Sequence, residues 1–327
     1  MKTLRARLSA VGVKRRFLDT VVFPSWWEDS LAANAGGFRE AAAFVCSRLG
    51  FSLASLLDND QTLVFADPAR VRFKKAKGVS EDDICLATHY ALGLARTVAS
   101  AFDGRPPADE IPAPVEWRNA LIARPDRPWV TLPHILEASW KLGIPVLHLR
   151  HLPAGAKKPD ALTTMVGDRP VIVVLSGRKS PSWIAFIVAH ELGHIHHRHL
   201  KPGQTLVDEK IDKQSGEKDE GEANDFASRL LTGHSDIGIN SSRPLGIKQL
   251  AESARTFGES YRIAPAVAAL NYGFTTGEWA VATGAVGLLE KDDAATCLEK
   301  AMDGHLALDS LSDDSQEWVT RATSHVG

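Results

Sequence analysis

The segment His190-Glu191-Leu192-Gly193-His194 constrains this chain more than any other feature. It follows Trp183, Ile184, Phe186, Ile187 and Val188, so a helix running through it is apolar on most sides. Such a helix is buried, and its two histidines and glutamate then need partners. Positions four apart share one helix face, so His190 and His194 present two imidazoles to one point. Glu191 sits beside them, offset enough to act on a water without holding an ion itself. Two ligands and a base within one helical turn are what a catalytic zinc site requires, with a third protein ligand and one open position for water. The ion lowers the pKa of that water toward about 7 and polarises a scissile carbonyl. Glu191 would take the water's proton and later pass it to the leaving amine. The bland alternative is a chance histidine pair on a solvated helix. The flank Ile184-Ala185-Phe186-Ile187-Val188 argues against it.

The third ligand should be acidic or a histidine on a nearby helix. Glu222, in Glu222-Ala223-Asn224-Asp225-Phe226-Ala227, opens an amphipathic stretch after a loop long enough to fold back, and it is the candidate. Spacing alone leaves Asp219, Glu220 and Asp225 as alternatives. His196, His197 and His199 fit a polar helix terminus, where cationic side chains suit the dipole. Tyr261 is a candidate for stabilising an oxyanion.

Three regions separate along the 327 residues. The first, 1–125, has helical periodicity over 37–57 and 80–102, the latter with Ser80 as an N-cap. Prolines from Pro106 to Pro114 mark a loop. The second, 126–275, reads as a helix over 132–142 stopped by Gly143, then a strand over 144–149. A hairpin over 162–175 follows, turning at Gly167-Asp168. Ser180-Pro181 opens the helix that carries the histidines. The charged stretch 201–219 reads as a surface loop, and 220–231 as a helix ending near Gly233. The third region, 276–327, holds one or two helices, and its acidic part, 309–317, is expected to fray.

The block FIVAHELGHIHHRH followed by EANDFASRLL resembles the ImmA/IrrE family of metallopeptidases, and the resemblance spans about 130–270. It implies an α+β fold: a zincin-like domain with a small curved sheet packed on the HExxH helix, beside a mainly helical N-terminal domain. It implies Zn2+ on His190, His194 and Glu222, with Glu191 as catalytic base. It further implies cleavage of a specific XRE-type repressor or antitoxin, relieving repression in a prophage, mobile-element, stress or toxin–antitoxin circuit. Two departures stand out. Leu230-Leu231-Thr232-Gly233 replaces the usual Leu-Met-Pro ending, and Ala264 to Asn271 lacks the usual arginine-leucine pair.

A net charge of −2 and a hydrophobic fraction of 44% exclude a polycationic or disordered chain. Three widely spaced cysteines and no CxxC fit a reducing cytoplasm. No secretory signal or long apolar span is present, so no membrane partner is expected. The first region resembles the end of an XRE-like helix-turn-helix unit at 48–57, in degenerate form. Basic residues cluster at Lys2, Arg5, Arg7, Lys14, Arg15 and Arg16, and again at Arg70, Arg72, Lys74, Lys75 and Lys77. They motivate a rival reading: a regulatory DNA- or repressor-binding protein with little or no proteolysis. Trp26-Trp27 reads as core packing or as a recognition surface.

Overall fold

The computed structural model describes residues 1–66, 71–74, 81–102, 107–154, 156–208 and 218–323. The chain begins with α1 (Lys2–Ala10), α2 (Arg15–Phe17), α3 (Ala35–Leu49) and α4 (Leu53–Leu57), then β1 (Val71–Lys74), α5 (Glu81–Ala101) and α6 (Pro114–Leu121). The middle contains α7 (Leu132–Lys141), β2 (Val146–His148), β3 (Ala161–Val166), β4 (Arg169–Val174), α8 (Pro181–His196), β5 (Thr205–Asp208), α9 (Lys218–Thr232) and α10 (Ile247–Tyr261). Four further helices follow: α11 (Pro265–Thr276), α12 (Trp279–Leu289), α13 (Ala294–Asp303) and α14 (Asp313–Thr323).

Among the described residues, five strands form one mixed sheet in the order β1-β5-β3-β4-β2. β3 and β4 are the expected hairpin. Its two-residue turn begins with Gly167 at φ +61°, a backbone position that suits glycine and matches the twist of paired strands. Alternation then sends side chains to opposite faces. Val146, Ala161, Ile172 and Val174 join one core with Ile184, Val188 and Leu192 of α8. Leu147, Leu162, Val171, Val173 and Val207 join a second core with Tyr90, Leu94 and Val98 of α5. The sheet is thus the middle of three layers, with α8 on one face and α5 on the other.

The second core also takes in Leu4 and Leu8 of α1, Val45 of α3, and Trp318 and Val319 of α14. Region 1–125 therefore shares its core with the sheet and with the last helix, and it lends the sheet a strand, β1. The single helical run anticipated over 37–57 is broken at Gly50, between α3 and α4.

Two further expectations are corrected. Part of the supposed loop 201–219 is β5, whose Leu206 and Val207 are buried beside β3. Charged neighbours on both sides hid this four-residue strand. The acidic stretch 309–317 is helical from Asp313 on, as the start of α14, which is anchored by the buried Trp318, Val319 and Ala322. The Ser80 cap lies outside the described residues. Trp26 and Trp27 form an aromatic cluster with Phe23 and Phe44, and Trp26 Nε1 donates to Asp314 at 2.8 Å.

Candidate metal centre

α8 begins as its sequence dictates. Pro181 takes the first helical position, and the Ser180 hydroxyl accepts from the Trp183 N–H at 3.1 Å. The helix then sinks into the core, and His190, Glu191 and His194 have no exposed surface. α9 lies along it. A Cβ on Gly193 would stand 2.9 Å from Ala223 Cα and 3.0 Å from Phe226 Cβ, so only glycine permits this approach.

The two imidazoles meet as the four-residue spacing predicts: His190 Nε2 and His194 Nε2 are 3.0 Å apart. The acidic group that joins them is Glu220. Its carboxylate oxygens lie 3.4 Å from His190 Nε2 and 3.5 Å from His194 Nε2. This corrects the placement expected for Glu222, whose carboxylate instead accepts from His199 Nε2 at 2.9 Å. The reason is helical phase. Residues two apart on a helix point to nearly opposite sides, and Glu220 shares a face with Ala223, Asn224 and Ala227, which are buried. The i, i+3, i+4, i+7 run 220/223/224/227 was the available signal. Asp219 and Asp225 do not join the group either: Asp219 lies near His199, and Asp225 pairs with Arg229. Tyr261 is half exposed at the end of α10, with its ring against Phe257.

Three side chains outside the expected set fix this geometry. Asn224 Oδ1 lies 3.0 Å from His190 Nδ1 and accepts its proton. His199 Nδ1 lies 2.7 Å from His194 Nδ1. Thr163, from β3, donates its hydroxyl to Glu191 Oε2 at 2.5 Å, which fixes the rotamer of that carboxylate. The His199 hydrogen bond, helped by Lys218, holds the Glu222 carboxyl below the usual carboxylate range.

The residues fit a divalent ion. One donor atom each from His190, His194 and Glu220 lies within 4.8 Å of the others. With Asn224 accepting from His190 Nδ1, the His190 Nε2 lone pair faces a carboxylate and a second imidazole nitrogen, all of them on buried residues. Electron-rich atoms gathered in a buried site are reconciled by a cation. Two nitrogens and a carboxylate oxygen are also a donor set found in catalytic zinc sites.

Residues 141–264 match the model of the IrrE N-terminal-like domain, Peptidase_M78. Over this segment the chain is similar to the M78 peptidase family. The M78 segment runs from just before β2 to just after α10, and it contains both histidines and Glu191, Glu220 and Glu222. A metallopeptidase-type function follows for it. No curated protein matches the chain.

Proposed function

We propose that this chain is a zinc-dependent endopeptidase in which His190, His194 and Glu220 hold the ion and Glu191 is the general base. The observation that carries the reading is the meeting of Glu220 from α9 with both α8 imidazoles in a buried M78 site. When bound, the ion would polarise a peptide carbonyl and activate a water. Glu191, held by Thr163, takes the proton from that water and delivers it to the departing amine. Asn224 keeps the His190 ring turned so that Nε2 faces the centre.

The substrate we propose is an XRE-type repressor or antitoxin in the cytoplasm, cleaved to relieve repression. The ImmA/IrrE-like pairing of HELGH with EANDFA supports this class. Several of the basic residues behind the DNA-binding rival are engaged within the fold. Arg5 binds Asp29 and Asp19, Arg7 donates to Ser55 O and Gln61 O, and Arg15 pairs with Asp19. Arg48 donates to the Val22 and Asp314 carbonyls and lies over Trp318, as a buried brace. Arg70, Lys75 and Lys77 lie outside the described residues.

The test uses the full chain with the XRE-type regulator encoded nearest to it. We expect one zinc per chain and a single cut in the regulator that stops when zinc is chelated and resumes when it is restored. A chain that binds no zinc, or cleavage indifferent to chelation, overturns the proposal.

A further inference from the structure

The turn that ends α8 brings its own last residue back onto a candidate ligand. Arg198 adopts the left-handed conformation at φ +57°, unusual for a residue with a Cβ. The His199 N–H bonds to the His194 carbonyl at 3.0 Å, and the Arg198 N–H to the Ile195 carbonyl at 3.0 Å. This double bond pattern is the Schellman ending, which commonly adds a hydrophobic contact across the turn. Here the contact is replaced by two imidazoles, with Nδ1 facing Nδ1 at 2.7 Å.

Two Nδ1 atoms at that distance share one proton, and the surroundings decide which ring carries it. His199 Nε2 is 2.9 Å from the Glu222 carboxylate, which can only accept, so the His199 proton sits on Nε2. In the neutral ring, His199 Nδ1 is then a bare acceptor. The shared proton belongs to His194 Nδ1, and His194 Nε2 keeps its lone pair for the centre that it forms with His190 and Glu220. The chain of donors runs from His194 to His199 to Glu222, and it ties the end of α8 to the first turn of α9.

We propose that His199 is a positioning residue for the metal centre: held by Glu222, it fixes the tautomer and ring orientation of His194. This rests on the ligand set proposed above. It also gives Glu222 a role outside the ligand set. Outer partners of metal-bound histidines commonly change metal affinity by about 10- to 100-fold.

The test measures zinc affinity of the full chain by competition with a chromophoric chelator. His199→Leu removes the acceptor and should weaken binding by about 10- to 100-fold. In His199→Asn the Oδ1 atom takes the place of Nδ1, so affinity should recover to within several-fold of wild type. Glu222→Gln should fall between the two, and Arg198→Gly, which keeps the turn, should leave affinity unchanged. In the zinc-loaded protein, NMR should show a protected ring N–H on the Nδ1 of His194 that is lost in His199→Leu. Should His199→Leu prove unstable, the asparagine and Glu222→Gln variants carry the comparison with that resonance. Wild-type affinity in His199→Leu, or an asparagine variant no tighter than the leucine one, overturns the proposal. Glu220→Gln separates the two levels. If it abolishes tight binding while His199→Leu does not, the ligand set stands and the positioning role falls. If the wild type binds no zinc, both fall.

Discussion

At the scale of single residues, the division of labour at the centre can be separated by substitution. Glu191→Gln keeps the side chain's shape and its contact with Thr163 but cannot accept a proton. We expect zinc content to be unchanged and cleavage to drop by about 10²- to 10⁴-fold, the range for loss of a general base; metal analysis with single-turnover cleavage checks both halves. A second residue-scale effect lies away from the centre. His148, at the end of β2, is buried, and burial first and then Arg150 push its imidazole down to about 4 from 6.5. The folded form therefore holds it neutral, while the unfolded chain takes up a proton below about pH 6.5. Stability should fall between pH 6.5 and 4, by on the order of 3 kcal/mol, and this group adds nothing further below that window. Denaturant unfolding across that range should show the slope in the wild type and a flatter profile in His148→Gln.

At the scale of elements, the sequence was most legible where a local rule and burial agree. The Ser180-Pro181 start, the apolar flank and the four-residue histidine spacing were enough to place α8 and both imidazoles. The turn at Gly167-Asp168 placed the hairpin. Legibility failed where a long-range partner decides. Which glutamate of α9 faces α8 depends on helical phase, and that phase is set by the contact of Gly193 with Ala223 and Phe226. The expectation of Glu222 came from motif position, and the fold assigns the inward place to Glu220. β5 was missed for a related reason, since four residues between charged neighbours become a strand only through pairing with β3 and β1. His199 looked like an ordinary helix terminus because nothing local foretells the left-handed Arg198 before it. The α8–α9 contact gives a third prediction. Gly193→Ala forces the helices apart in a filled core, which should cost about 1–3 kcal/mol of stability. It also moves Glu220 away from the imidazoles, so zinc affinity should fall with the melting temperature. Unfolding and chelator competition on the same sample would show the two losses together; normal affinity in the variant would mean that the helix spacing does not set the site.

At the scale of the whole molecule, the sheet is shared property. The M78 match covers residues 141–264, yet Leu147, Leu162, Val171 and Val173 face a layer built from α5 and its neighbours. Expressed alone, the 141–264 stretch would expose that apolar face, and we expect it to aggregate or to remain unfolded by circular dichroism while the full chain is well folded. A well-folded, zinc-binding 141–264 piece would show that the surrounding layers are dispensable. The mainly helical surroundings were visible in the sequence as periodicity. Their attachment to the sheet was not, because pairing between β1 and β5 joins residues far apart in the chain.

The place of α14 in the same core as α1, α3 and α5 bears on how the molecule comes into being. Trp318 and Val319 leave the ribosome after nearly everything they pack against, so the early helices wait with that part of their interior open. A nascent chain stalled before residue 313 would carry the histidines and both glutamates of the clasp and still lack the piece that closes its opposite side. The layer behind the sheet should then reach its final packing only once α14 has docked against those early helices.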